Sequence, residues 1–221
     1  MNLVVHRCAA EAGEFHAREL GANEAWFVST SREAVVLGSR QDDSLLDLGR
    51  CSRDGVEVTT RRSGGGIVHL VPGEHVWVDV TISDDHPRWT ADVVDSSAWI
   101  GEAWVRALAD LGIGSLVHRG RLSGDPLGEL VCFASLGPGE VTDPSGAKLV
   151  GISQRRTRSL ARFQCTVLTR WSPQRLLELL SPDRRAMLAA DSAAELGRRV
   201  AVVDRPIADI ESAFERALLA H

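Results

Sequence analysis

Short runs of apolar residues alternate with polar positions along much of the chain, and this period-two pattern predicts β-strands. In residues 76–82 the valines alternate with Trp77 and Asp79, as in a regular strand. Two further apolar runs, at residues 25–28 and 34–37, are separated by Ser-Thr-Ser and predict a hairpin. Other strands are predicted at residues 56–59, 149–153 and 163–168.

Other segments show the 3.6-residue spacing of amphipathic helices. Apolar positions recur through residues 92–111 until Gly112, and glycine commonly follows a helix end. A short helix is predicted at residues 11–20, and packing helices are predicted at residues 173–180, 182–190, 193–199 and 207–219. Because the 221 residues contain no low-complexity linker, the mixture predicts a single α/β (α+β) domain over residues 1–221.

Composition and charge disfavour several classes of protein. The net charge of −5 disfavours a general nucleic-acid surface, and no apolar run is long enough to span a bilayer. The N-terminus lacks a signal-peptide pattern, so a reducing cytoplasm is the expected location. The four cysteines lack Cys-x-x-Cys spacing and give little support to a metal site or a disulfide framework.

The stretch at residues 59–80 carries the strongest chemical signal. The glycine run from Gly64 to Gly66 removes every Cβ from one turn and lets the backbone approach a ligand closely. Before it, Arg61 and Arg62 offer planar charged forks suited to a carboxylate or phosphate. The stretch predicts a pocket for an anionic or acyl-phosphate group, with a glycine-rich hairpin and solvated arginines as the alternative. It is not a Walker-type loop, because no Gly-Lys-Ser/Thr follows.

A second signal is Lys148, the only lysine in the chain. An ammonium group is a compact, rotatable point charge, and the wide fork of arginine does not replace it at a close contact. Lys148 lies in the segment Gly-Ala-Lys-Leu-Val-Gly that ends at Gly151. We therefore treat Lys148 as a candidate site residue, with chance retention of one surface lysine as the alternative.

Together these stretches resemble the catalytic domain shared by lipoate-protein ligases, lipoyl/octanoyl transferases and, more distantly, biotin-protein ligases. The family pattern is Arg-Arg-x-Ser/Thr-Gly-Gly-Gly/Arg, an apolar pair and a histidine, with Gly-x-Lys-x-x-Gly well downstream. The matching positions are Arg61, Arg62, Gly64, Gly65, Gly66, Lys148 and Gly151. His69 comes one residue early and no aspartate follows it, which leaves its role open. The resemblance implies a biotin/lipoate protein ligase-like fold with a mixed, largely antiparallel sheet flanked by helices.

The resemblance also implies a chemistry. In the octanoyl-transferring branch a Cys-Phe pair precedes the family lysine, and Cys132-Phe133 precedes Lys148 at that kind of distance. Cys132 would take an acyl group from a thioester and pass it to an amine without ATP or metal, while Lys148 would hold the acyl carbonyl. The predicted substrate-binding set is Arg61, Arg62, Ser63, Gly64, Gly65, Gly66, His69 and Gly151. The alternative for Cys132 is a buried strand cysteine that acts as a small apolar side chain.

Two other functions remain open from the sequence. An ATP-dependent lipoate-protein ligase would form lipoyl-adenylate with Mg²⁺, and Gly66 favours it because one transferase branch carries arginine there. Arg61, Arg62 and Lys148 would then meet the adenylate phosphate. Against this reading, the chain ends at His221, which leaves no room for the C-terminal accessory domain of many lipoate ligases. The third function is a non-catalytic acyl- or partner-binding module.

The resemblance implies protein partners as well. Lipoyl domains are the expected acceptors, including those of 2-oxoacid dehydrogenase acyltransferase subunits and the glycine cleavage H protein. Acyl carrier protein is the expected donor for a transferase, and no nucleic-acid or membrane partner is expected. A basic segment is either a solvated face or a surface for an acidic partner, and it comprises Arg155, Arg156, Arg158 and Arg162.

Overall fold

The computed structural model of the protein describes residues 3–220. Its strands are β1 (Val4–Ala10), β2 (Glu24–Thr30), β3 (Ala34–Leu37), β4 (Glu57–Thr60), β5 (Val68–Leu70), β6 (His75–Ser83), β7 (Leu116–Val117), β8 (Val141–Thr142), β9 (Lys148–Arg156) and β10 (Leu160–Leu168). They form a larger sheet in the order β1-β2-β6-β10-β9-β8-β7 and a smaller sheet in the order β4-β3-β5. Only β1 with β2 and β3 with β4 pair in parallel among these strands. The predicted mixed, largely antiparallel architecture is therefore confirmed.

Helices flank both sheets. They are α1 (Ala12–Ala17), α2 (Leu48–Arg53), α3 (Ala98–Asp110), α4 (Pro126–Leu130), α5 (Pro173–Leu179), α6 (Pro182–Ala186), α7 (Ser192–Arg199) and α8 (Ile207–Leu219). Across residues 3–220, no helix has the length and apolar character that crossing a membrane requires.

The central strand β6 is buried on both faces, because successive side chains of a strand point to opposite sides. Val78 and its alternate neighbours face α3 and α8, where Trp104 stacks on Phe214 with ring centroids 3.7 Å apart. Trp77 faces the other way and packs with Val36 and Leu70 of the smaller sheet. The chain thus forms layers on both sides of the larger sheet, and the layer between the two sheets contains the site described below.

Local capping determines where several short helices begin. The Asp125 side chain accepts a hydrogen bond from the Gly128 N–H, and Pro126 occupies the first turn of α4. The Ser181 hydroxyl accepts in the same way from the Arg184 N–H at the start of α6. Because capping fixes the residue at which α4 begins, it also helps to fix the position of the turn after α4, beside the smaller sheet.

The predicted hairpin at residues 25–28 and 34–37 is wrong. β2 lies between β1 and β6 of the larger sheet, whereas β3 lies between β4 and β5 of the smaller sheet. All four residues of β3 are buried, so it behaves as the central strand of its own sheet. Apolar runs indicate strands but do not say which strands pair, because the pairing contacts are distant in sequence.

Three element boundaries also differ from the predictions. The helix predicted at residues 92–111 begins at Ala98, after a 3-10 turn, and the helix predicted at residues 11–20 ends at Ala17. The strand predicted at residues 149–153 begins at Lys148 and continues as far as Arg156. The predicted helices near the C-terminal end are confirmed, although α6 is shorter than expected.

Candidate active site

A pocket with a cavity volume of about 30 Å³ lies between the two sheets. Its lining residues are His16, Val36, Arg61, Val68, Leu70, Trp77, Cys132, Phe133, Gly151, Ile152, Ser153, Gln164 and Thr166. The lining is mostly apolar with a few polar groups, which suits an acyl chain. Of the predicted site residues, the structure brings Arg61, Cys132 and Gly151 to this pocket.

Cys132 lies at the start of a 3-10 turn, Cys132–Ala134, directly after α4. Its N–H donates to the Ile67 carbonyl at 2.9 Å, and the Ile67 N–H donates to the Leu130 carbonyl at 2.8 Å. These two hydrogen bonds hold the cysteine turn against the end of the glycine loop, residues 64–66. Cys132 is a free, half-buried thiol, so the alternative of a fully buried strand cysteine is wrong.

The glycine loop needs glycine because backbone lies close to it on two sides. A Cβ on Gly66 would lie 2.8 Å from the Leu130 oxygen and the Cys132 nitrogen, inside contact distance. Gly65 has a φ of +99°, and a Cβ there would lie 3.7 Å from the Cys132 sulfur. Gly64 has open space around its Cβ position. The glycines therefore allow the loop to lie directly beside the thiol.

The two arginines of the motif have different environments. Arg61 is buried, and its Nη2 donates to the carbonyls of Gly64 and Gly66 at 2.8 Å each. Arg62 is exposed and pairs with Glu19 on the surface. Arg61 thus holds the glycine loop in place, and its charge is partly used by backbone oxygens. Of the two arginines, Arg61 lines the pocket and Arg62 does not.

Lys148 is 1% exposed at its side chain and does not line the pocket. Its Nζ lies 2.7 Å from Glu140 Oε2 and donates to the Cys132 carbonyl at 2.8 Å. The Glu140 carboxylate also accepts from the backbone N–H groups of Gly137 and Ile152 at 2.6 and 3.0 Å. In this structure Lys148 therefore holds the cysteine turn through the Cys132 carbonyl.

A chain of buried polar groups lies under the pocket. Ser63 Oγ donates to Gln164 Oε1 at 2.8 Å, and Gln164 Nε2 lies 3.0 Å from His16 Nδ1. Gln164 Nε2 also donates to Asp79 Oδ2 at 3.3 Å, and Arg162 Nε donates to the same oxygen at 2.6 Å. Burial, and then the positive charge of Arg162, lower the pKa of His16 to about 3. His16 is therefore neutral at physiological pH.

His69 faces away from the pocket. Its Nε2 lies 2.7 Å from Glu33 Oε1, and Arg175 makes two hydrogen bonds to the same carboxylate at 2.8 and 3.0 Å. The His69 hydrogen bond, followed by that of Arg175, lowers the pKa of Glu33 to about 2. The structure thus does not bring His69 to the other predicted substrate-binding residues.

Sequence reasoning missed three residues of this region. His16 and Gln164 lie 148 positions apart, and neither belongs to a motif. Glu140 precedes the lone lysine by eight residues, and an acid near a lone lysine was the available signal. Gln164, which lies between Phe163 and Cys165 in an apolar strand, was a second signal, because buried polar groups require partners. Within residues 3–220, no group of three or more His, Cys, Asp or Glu side chains is placed to hold a metal ion.

The fold and the pocket define an α/β domain with a half-buried thiol at the wall of a mostly apolar pocket. A sequence profile of the lipoyl protein ligase A/B catalytic domain matches residues 10–218, and the chain belongs to that family. A search of curated proteins found no match.

Solved structures of lipoate-protein ligases share this fold. A lipoate-protein ligase A bound with ATP is 18% identical with a TM-score of 0.71, over 98% of this chain and 84% of that one. A bipartite lipoate protein ligase from the archaeon Thermoplasma acidophilum, studied with its E2 lipoyl domain, is 18% identical with a TM-score of 0.71, over 98% and 82%. LipL1 of P. falciparum in complex with lipoate is 14% identical with a TM-score of 0.57, over 100% and 72%.

Proposed function

We propose that this protein transfers an octanoyl or lipoyl group to the lysine of lipoyl domains through a thioester on Cys132. The observation that carries the proposal is the position of Cys132, a free and half-buried thiol that lines the largely apolar pocket. An acyl chain seated in the pocket would place its carbonyl carbon beside this sulfur. Acyl carrier protein is the proposed donor, in keeping with a thiol that exchanges acyl groups with another thioester.

The proposed reaction has two steps that balance. In the first, the Cys132 sulfur attacks the donor thioester, the new carbon–sulfur bond forms, and the donor leaves as a thiol that takes the proton. In the second, the amine of the acceptor lysine attacks the acyl-enzyme, an amide forms, and Cys132 regains a proton from the amine. Neither step requires a nucleotide or a metal ion.

During each step negative charge would develop on the acyl oxygen, which would lie beside the glycine loop. The Gly65 and Gly66 N–H groups make no hydrogen bond within residues 3–220, and they are the proposed donors to a negatively charged oxygen. Lys148 supports the site indirectly by holding the Cys132 carbonyl.

ATP-dependent lipoate ligation is the second candidate, favoured by the shared fold of a lipoate-protein ligase A bound with ATP. The cations proposed for the adenylate phosphate fit this reading poorly. Arg61 and Lys148 are buried and already paired with loop carbonyls and with Glu140, and Arg62 pairs with Glu19 outside the pocket. Gly66 no longer favours the ligase over the transferase, because packing against the Cys132 turn already requires a glycine at this position.

The proposed acceptors are lipoyl domains, as in the lipoylation system of the T. acidophilum ligase. The partly exposed arginines of the β9–β10 hairpin, with the exposed Arg62, offer a basic surface to an acidic acceptor or carrier. The proposed location is the cytoplasm, where a free thiol stays reduced.

The intact mass of the protein after incubation with octanoyl-acyl carrier protein, without ATP, tests the proposal. We expect an octanoyl-sized gain that hydroxylamine removes and that Cys132→Ala lacks. Cys165→Ala is the matched control, because Cys165 is a fully buried thiol on β10 and should leave the gain unchanged. Labelling of a lipoyl domain only with free lipoate and ATP would instead establish the ligase. Acyl binding with no transfer under either condition would indicate a binding module.

A further inference from the structure

His16 is a polar residue of the pocket that the proposed transfer leaves without a role. It lies on α1, is 7% exposed, and packs against Trp77 with ring centroids 4.7 Å apart and the ring planes tilted by 32°. Its Nδ1 contacts Gln164 below the pocket. The other ring nitrogen, Nε2, makes no hydrogen bond within the described residues 3–220.

The surrounding hydrogen bonds determine which ring nitrogen of His16 carries the proton. The Asp79 carboxylate accepts from Trp77 Nε1 and Arg162 Nε, both at 2.6 Å, so the amide nitrogen of Gln164 must face it. The same amide nitrogen faces His16, whose Nδ1 therefore accepts. Because burial keeps the pKa of His16 near 3, the ring is neutral and its single proton lies on Nε2.

His16 thus presents a neutral N–H donor to the pocket, and this donor has no partner among residues 3–220. A buried donor left unpaired weakens binding of any ligand that cannot pair with it. Conversely, a site built around such a donor discriminates strongly against analogues that lack the acceptor. A purely hydrocarbon chain would leave the Nε2–H unpaired.

The register of the larger sheet places His16 and Cys132 at opposite ends of the pocket. Trp77 pairs with Thr166, and Thr166 pairs with Gly151. Trp77 and Gly151 therefore lie two strand spacings apart, about 10 Å. His16 packs against Trp77, whereas the ring of Phe133, the residue after Cys132, lies over Gly151. An extended chain gains about 1.2 Å per bond, so the last carbons of an eight-carbon acyl group reach the His16 end.

We propose that His16 is a specificity-determining residue that selects acyl chains with a sulfur or oxygen acceptor near their distal end. A lipoyl group, with its ring sulfurs on the last carbons, meets this requirement, whereas an octanoyl group does not. The assignment of the two ends rests on the proposed thioester at Cys132. The selectivity itself is a property of binding and can be measured without any transfer.

Titration calorimetry with lipoamide and octanamide tests this inference on the 221-residue protein. We expect His16→Phe, which retains the ring on Trp77, to lower the ratio of lipoamide to octanamide affinity about tenfold, or about 1.4 kcal/mol. His16→Gln can place an amide N–H near the Nε2 position and should keep most of the selectivity. His6→Phe is the matched control, because His6 also packs against a tryptophan, Trp26, but lies outside the pocket.

A second measurement uses the wild-type protein alone. A terminal hydroxyl ordinarily weakens binding to an apolar cavity, yet 8-hydroxyoctanamide should bind about tenfold more tightly than octanamide if His16 donates to it. Weaker binding of the hydroxylated amide would overturn the inference. An equal loss of both amides in His16→Phe would also overturn it, since the donor would then act at the shared carbonyl.

The outcomes separate the inference from the proposed function. An octanoyl thioester on Cys132 with an unchanged affinity ratio in His16→Phe would leave the transfer standing and remove the role of His16. A changed affinity ratio in His16→Phe without any thioester on Cys132 would support the role of His16 and refute the proposed transfer. If neither amide binds the wild-type protein, the inference is wrong.

Discussion

Replacement of Glu140 by glutamine tests how the cysteine turn is held. The side chains of Lys148 and Glu140 are 1% and 5% exposed, and Lys148 Nζ lies 2.7 Å from Glu140 Oε2. The same Nζ donates to the Cys132 carbonyl at 2.8 Å. Glutamine keeps the size of the side chain but removes its charge, so the ammonium group would remain buried without a counter-ion.

The expected loss follows from burial. Removing one partner of a buried ion pair lowers the free energy of unfolding by roughly 3–5 kcal/mol, because the remaining charge is uncompensated. Removing both charges avoids that imbalance, so Glu140→Gln/Lys148→Met should be more stable than Glu140→Gln alone. Glu102→Gln is the matched control, because it breaks an ion pair with Arg119 that is 2.6 Å long but largely exposed. Exposed ion pairs contribute less than about 1 kcal/mol to the free energy of unfolding.

Urea unfolding followed by tryptophan fluorescence measures these differences, with linear extrapolation to water. The rate of Cys132 alkylation provides a local readout and should rise in Glu140→Gln as the turn loosens. A loss in Glu140→Gln no larger than that in Glu102→Gln would refute the reasoning. So would a double variant less stable than the single one, since uncompensated charge would then not be the cause.

Three further predictions concern the loop, a buried histidine and the thiols. Gly66→Ala would place a methyl group 2.8 Å from the Cys132 nitrogen and should abolish acyl loading, whereas Gly64→Ala has open space and should retain it in the same mass assay. Burial lowers the pKa of His75 to about 4 from 6.5, so the unfolded chain binds the proton first as pH falls. The free energy of unfolding should therefore decrease by about 1.4 kcal/mol per pH unit between pH 6.5 and 4, and His75→Leu should lack this component in urea titrations. In the native protein, iodoacetamide should label Cys132, and octanamide should protect it. Cys165 should stay unlabelled, because burial raises the pKa of its thiol. Labelling of Cys165 before unfolding would contradict its buried position.

The paired arginines illustrate the limit of the motif. Arg61 and Arg62 are adjacent and chemically identical, and the sequence predicts one ligand-facing role for both. In the fold, the first turns inward to the carbonyls of Gly64 and Gly66, and the second turns outward to Glu19. Neighbouring residues in a loop are directed by the groups around them, which come from other parts of the chain.

The third glycine illustrates how a correct motif can have a different cause. In the sequence, Gly66 separates ligases from one transferase branch. In the structure, it is required because the backbone of Leu130 and Cys132 lies 2.8 Å from its Cβ position. The contact joins positions more than sixty residues apart, so the motif alone does not reveal it.

The sequence by itself determined the features that depend on local periodicity and on short motifs. The alternation in β6, the amphipathic C-terminal helices, the family and the candidate thiol all follow from neighbouring residues. Only the tertiary structure decided that Lys148 pairs with Glu140, that His69 faces Glu33, and that Gln164 fixes the proton of His16. Ion pairs and hydrogen-bond tautomers depend on groups brought together across the sheets, and hydrophobic periodicity carries no information about those partners.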